Sequence, residues 1–173
     1  MTLILLLGGA RSGKSSLAVE LACRGGEPVV FVATGEPGDD EMRERIERHQ
    51  RERPGGWTTV EEPRRLVAAL ETAPEAACVV VDCISFWVAN VLELSADEIE
   101  AEAASAARFA AARFGRTIAV SNEVGMGLVP DNPMGREYRD VLGRVNAIWA
   151  GQASDSYLVV AGRALRLEEP PRA

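Results

Sequence analysis

The chain has 173 residues, the length of one ordinary domain, and 47% of them are apolar, enough to bury a sizeable core. Its formal charge of −7, with no Lys/Arg tract, argues against a nucleic-acid partner. A phosphate-bearing ligand must therefore be held by a local site rather than by a basic face.

Taken in chain order, the first predicted element is the apolar run Leu3–Leu7. It has no basic region ahead of it and is far too short to span a membrane, so a cytoplasmic chain without leader or membrane span is expected. Gly8-Gly9-Ala10-Arg11-Ser12-Gly13-Lys14-Ser15 follows and matches the phosphate-loop pattern G-x-x-x-x-G-K-S/T, between a strand and a predicted helix over 14–24. Glycines let the backbone curl so that successive N–H groups point at phosphate oxygens, and the helix adds its positive end. Lys14 is expected to reach the β- and γ-phosphates and Ser15 to ligate Mg²⁺.

The second strand is predicted over Val29–Ala33, leading into Thr34-Gly35. A charged helix follows over about 40–52, opened by Asp39 or Asp40 and stopped by Pro54. Met42, Ile46 and the chain's single histidine, His49, share one face of it at helical spacing, and Arg53 continues the stripe. Two readings of His49 stand at this point. It packs on a surface helix, or it is a nucleophile towards an α-phosphate, kept unprotonated by Arg45, Arg48, Arg51 and Arg53.

An extended run, Trp57–Val60, ends at Glu61, and Pro63 suits the first turn of a helix over 63–72. Cys78–Val81 is the next strand, and Asp82 at its end is either a turn residue or the second metal ligand. The three cysteines contain no C-x-x-C pair; Cys78 and Cys83 read as small core residues of a reducing compartment, and one histidine cannot complete a zinc site. Ser95-Ala96-Asp97-Glu98 reads as a capping box opening a helix over 95–114. The strand Thr117–Ser121 leads into Asn122, Glu123 and the glycines Gly125 and Gly127. A helix over 136–151 and a strand over Tyr157–Ala161 complete the alternation, and 168–173 reads as a frayed tail.

Apolar residues at successive positions mean strands covered on both faces. Strand–helix alternation then predicts a single α/β domain over 1–173, a P-loop NTPase (RecA-like) fold with a mostly parallel sheet in a three-layer α/β/α arrangement. Ligands of such sheets lie at the carboxyl ends of the strands, here the loops after Leu7, Ala33, Val81 and Ser121.

The phosphate loop, Asp40-Glu41-Met42 with Arg45-Ile46 and His49, Arg53-Pro54, Asp82-Cys83-Ile84 with Asn90, and Ser121-Asn122-Glu123-Val124-Gly125-Met126-Gly127-Leu128-Val129-Pro130 resemble the bifunctional adenosylcobinamide kinase / adenosylcobinamide-phosphate guanylyltransferase family. So do Arg136, Tyr138-Arg139-Asp140, Gly143 and Asn146 further on, and the likeness runs through almost the whole chain in order. The resemblance implies two reactions: phosphorylation of the aminopropanol hydroxyl of adenosylcobinamide by ATP or GTP, then transfer of GMP from GTP to that phosphate with release of pyrophosphate. It implies that His49 carries GMP covalently, that Gly8–Ser15, Ala33-Thr34-Gly35, Gln50, Arg51, Glu52, Arg53, Glu61 and Asp82 contact nucleotide, and that Mg²⁺ sits with Ser15 and Asp82. It further implies nucleoside triphosphate and corrinoid substrates and a homotrimer. The residues alone leave two rivals: a small-molecule kinase without nucleotidyl transfer, and a GTP-dependent switch. The absence of an N/T-K-x-D base-reading motif counts against the switch. Two attack geometries on one triphosphate also predict that the His49 helix moves, with Pro37-Gly38 as its hinge.

Overall fold

The structure, a computed structural model, describes residues 2–38, 40–51 and 53–169; within 40–51 the side chains of Glu41, Met42, Arg45, Arg48 and His49 lie outside the described set. The elements run β1 (Leu3–Gly8), α1 (Lys14–Cys23), β2 (Val29–Ala33), α2 (Asp40–Arg51), β3 (Thr58–Glu61), α3 (Leu66–Glu71), β4 (Cys78–Asp82), α4 (Ile84–Asn90), α5 (Ala96–Ala112), β5 (Thr117–Asn122), α6 (Pro133–Gln152), β6 (Asp155–Val160) and β7 (Arg163–Leu167). They form one sheet in the order β3-β2-β4-β5-β1-β6-β7, parallel except for β7.

Strand side chains alternate between two cores. Leu5, Leu7, Val30, Val32, Val79, Val81 and Ala119 pack with Leu70, Trp87, Ile99, Ala103, Leu142 and Trp149 on one face of the sheet. Leu6, Phe31, Val80, Ile118 and Val120 pack with Ala18 and Ala22 of α1 on the other. Helices therefore cover both faces, giving the three α/β/α layers. Alanine at Ala103, Ala106, Ala107 and Ala110, all buried, forms the inner stripe of α5 that lets it lie close.

Two elements exceed the sequence expectation. α4 has β-branched and aromatic composition, poor for a helix, yet Ile84, Trp87 and Val88 at i, i+3 and i+4 all bury fully, and the indole of Trp87 donates to the Arg64 carbonyl at 2.7 Å. β7 returns antiparallel through Ala161 and Gly162, both at positive φ (50° and 71°), the left-handed pair a two-residue hairpin requires. α3 starts later than predicted. Pro63 stands ahead of it, because the Glu62 carboxylate accepts from the backbone N–H groups of Arg64 and Arg65 and holds that stretch in a turn. The capping box forms as read, with Ser95 Oγ accepting from Glu98 N and the Glu98 carboxylate from Ser95 N. α6 begins at Pro133, capped by Asn132 Oδ1, which accepts from Gly135 N at 2.7 Å. The cap proposed at Asp39 and the tail over 170–173 lie outside the described residues.

Candidate active site

The parallel strands bring Gly8, Ala33, Glu61, Asp82 and Asn122 to one edge of the sheet, and the polar loops of the sequence meet there. The phosphate loop leaves β1 at Gly8. Its φ of +155° and the carbonyl oxygen of Val159, which would lie 2.3 Å from an added Cβ, leave room only for glycine. Gly13 at φ +100° turns the chain into α1 and supplies no side-chain cap, so the first N–H groups of the helix face the loop. Ser12 is buried, and its carbonyl accepts from Gly162 N at 2.8 Å, seating the loop on the β6–β7 turn. Gly9, Ala10 and Arg11 form the exposed crest. Lys14 Nζ reaches back across the loop to donate to the Gly9 carbonyl at 2.8 Å.

A cleft of about 610 Å³, including its open mouth, lies against this loop. Lys14, Ser15, Ala33, Gly35, Arg53 and Asp82, six of the residues expected to contact nucleotide, line it. Asp82 reaches it from β4, which is separated from β1 by β5. The Ser15 hydroxyl and Asp82 carboxylate are hard oxygen donors on one cleft. That donor set suits Mg²⁺, which takes few protein oxygens and completes its shell with phosphate and water.

Arg53 crosses the cleft wall with its guanidinium carbon 3.6 Å from the centroid of the Phe31 ring, and its Nη1 donates to Thr59 Oγ1 at 3.2 Å. Burial lowers the pKa of this group, opposed by the negative charges of Asp82 and Glu61, and it remains a cation at any physiological pH. Gln50 and Glu61 meet beside it, Gln50 Nε2 donating to Glu61 Oε1 at 3.4 Å. Arg51 turns back along α2, its Nε donating to the Glu47 carbonyl.

The hydroxyl of Thr34 is fully buried, accepting from Cys83 N at 2.9 Å and donating to the Cys83 carbonyl at 2.7 Å, while Asn90 Nδ2 donates to the Thr34 carbonyl. These bonds fasten the end of β2 to the end of β4. Glu123 folds into its own loop, accepting from Gly125 N and Met126 N, and Arg136 donates to the carbonyls of Pro130 and Asp131. His49 lies on α2, but its side chain, like Glu52, is outside the described residues.

Sequence reasoning left out Phe31, Phe86 and Val120, which also line the cleft, because an apolar residue that faces a ligand reads the same as one that faces the core. Asn122 lines it too.

A glycine-rich loop between β1 and α1, a lysine across it and an acid two strands away define a P-loop nucleotide-binding protein. Among solved structures, the fold resembles an ATPase of the type III secretion system of pathogenic bacteria, with a TM-score of 0.50 and 13% identity over 91% of this chain and 50% of that one. The family model described as cobinamide kinase / cobinamide phosphate guanyltransferase matches residues 4–167, and the chain belongs to that family. Its relatives include the bifunctional adenosylcobalamin biosynthesis protein CobP of Pseudomonas aeruginosa, 39% identical over 96% of this chain and 98% of that one. The proteins of the same description named CobU, from Salmonella typhimurium and Escherichia coli, are 37% and 35% identical, again over 96% of this chain and 99% of theirs.

Proposed function

We propose that this chain phosphorylates adenosylcobinamide and then transfers GMP from GTP to the product, giving adenosylcobinamide-GDP and pyrophosphate, with His49 as the covalent GMP carrier. The observation that carries the reading is the meeting of Lys14, Ser15, Arg53 and Asp82 on one cleft, in a chain that matches the family over residues 4–167.

In the kinase step the backbone of Gly8–Gly13 and the α1 N-terminus cradle the phosphates, and the Lys14 ammonium neutralises charge on the β- and γ-groups. Ser15 and Asp82 would hold Mg²⁺, which would supply positive charge against the phosphates that the incoming hydroxyl approaches. In the guanylyl step the imidazole of His49 attacks the α-phosphate, the bond to the β-phosphate breaks, and pyrophosphate leaves. The phosphate of the corrinoid then displaces the imidazole. Arg53 supports this step as a fixed positive charge, and Ala33, Thr34, Gly35, Gln50, Arg51, Glu52 and Glu61 surround the base and ribose. The two steps demand different lines of attack, so α2 shifts about Pro37-Gly38 between them. Among the described residues no helix is long and apolar enough to cross a membrane. A cytoplasmic homotrimer completes the proposal, supported by the exposed apolar residues Leu165 and Leu167 on the sheet's edge strand.

Incubation with α-labelled GTP and Mg²⁺ is expected to leave acid-labile, alkali-stable label on the protein. His49→Ala should abolish that label and keep phosphorylation of adenosylcobinamide at least in part, whereas Lys14→Ala should lower both steps by ~10²-fold or more. Full labelling of His49→Ala would remove His49 from the mechanism.

A further inference from the structure

Asn122 is the last residue of β5, the strand between the two that carry the phosphate loop and Asp82. It pairs in register with Gly8, the first residue of the phosphate loop, and Asp82 pairs with Val120 two residues earlier. Ile118 and Val120 pack into the core on the α1 side of the sheet, so strand alternation carries the Asn122 side chain along the same row, towards the α1 and Lys14 side. Ser121, on the opposite face, donates instead to Asn146 Oδ1 at 2.6 Å.

The backbone at this point is pinned from both sides. Asn146 Nδ2 donates to the Asn122 carbonyl at 3.0 Å, and Glu123 N donates to the Gly8 carbonyl at 3.0 Å. The side-chain amide itself is engaged by no described residue and lines the cleft with Lys14, Ser15 and Asp82. The Asn122 side chain is half-exposed at the cleft, so its amide is open to a polar ligand there, and a donor whose backbone is already held costs little reorganisation on meeting one.

We infer that Asn122 is a catalytic residue of the phosphoryl-transfer step, its amide N–H donating to an oxygen of the γ-phosphoryl group in the transition state. The inference rests on the proposed function and adds to it a role specific to one of its two reactions. In that reaction the substrate hydroxyl oxygen forms the new bond to the γ-phosphorus. The bond from that phosphorus to the bridging oxygen breaks, the nucleoside diphosphate keeps the electron pair, and the hydroxyl proton passes to water. Asn122 lines the cleft together with Lys14, the residue expected to reach the β- and γ-groups, whereas the guanylyl step is an attack on the α-phosphate.

The test uses the full chain and two variants, Asn122→Ala and the isosteric Asn122→Asp, compared with wild type in four measurements. These are thermal midpoint, affinity for an ATP analogue, transfer of the γ-phosphoryl group to adenosylcobinamide, and pyrophosphate release from GTP with adenosylcobinamide phosphate supplied ready-made. Asn122→Ala is expected to lower kcat for phosphoryl transfer by ~10²–10³-fold, the cost of one transition-state donor. Nucleotide affinity and pyrophosphate release should stay within about fivefold, with the thermal midpoint unchanged. Asn122→Asp keeps the shape but sets an anion against the phosphate, and should be at least as impaired in phosphoryl transfer. Phosphoryl transfer by Asn122→Ala within about threefold of wild type overturns the inference. So does a parallel fall in both reactions and in affinity. Wild-type protein that leaves adenosylcobinamide unphosphorylated overturns the proposed function and the inference together, and shows itself before any variant is compared.

Discussion

The thiol of Cys83 sits next to Asp82 in the sequence yet is sealed in the core, 5% exposed, with Sγ 2.9 Å from Ser85 Oγ. Burial, helped by the negative charge of Asp82, pushes its pKa up to about 12. The thiol therefore stays protonated around neutral pH, so Cys83 is a packing residue beside the cleft and no nucleophile. Burial also raises Cys78, while Cys23 is exposed at the end of α1. Alkylation of the native chain at pH 8 followed by peptide mass mapping should therefore modify Cys23 and spare Cys78 and Cys83 until denaturant is added. Rapid native labelling of Cys83 would contradict the burial argued here. At the same scale, Arg53 shows how one side chain joins separate segments: it follows α2, stacks on Phe31 of β2 and feels the charges of Asp82 on β4 and Glu61 on β3.

The elements differ in how they are held. α1 opens on a glycine without a side-chain cap, which leaves its first N–H groups to the phosphate loop, whereas α5 opens on a complete capping box. That contrast separates a helix end used for binding from one used for stability. Ser95→Ala removes the acceptor for Glu98 N and should lower the unfolding free energy by about 1 kcal/mol in denaturant titrations, with both transferase steps intact. A loss of nucleotide binding in that variant would mean that α5 communicates with the cleft, which its position on the far core does not suggest. The capping box was legible because it is a local pattern of four residues. The start of α3 was not, because Glu62 overrides the proline cue at Pro63 through a turn that no periodicity reveals.

Across the whole molecule the two edges of the sheet do different work. The carboxyl ends of the strands carry the cleft. The amino ends are tied by Glu27, ahead of β2, and Arg116, ahead of β5, which pair at 2.7 Å, and by Arg113, which donates to the carbonyls of Leu70, Ala73, Pro74 and Ala77. A backbone hydrogen bond and the Arg116 guanidinium hold the Glu27 carboxyl below its ordinary value of 4.5. A carboxyl with a depressed folded pKa contributes stability that is complete above its unfolded pKa and is lost as pH falls through the folded value. Glu27→Gln should thus lower the unfolding free energy by about 1 kcal/mol at pH 7 and by much less near pH 3, read from denaturant midpoints at the two pH values. An equal loss at both would show that the ion pair is not the source.

By itself the sequence determined the phosphate loop, the strand–helix alternation and the family, because these reside in contiguous residues whose spacing carries the chemistry. Lys14, Ser15 and Asp82 are legible in the sequence for that reason. Only the tertiary structure decided that β5 lies between the strands of the loop and of Asp82, that Phe31 and Arg53 form one wall, and that Asn122 stands beside Gly8. Strand order in a parallel sheet is fixed by crossovers that bury apolar faces over long sequence separations. Which polar strand ends become neighbours is therefore a property of packing and is written in no single stretch of the chain.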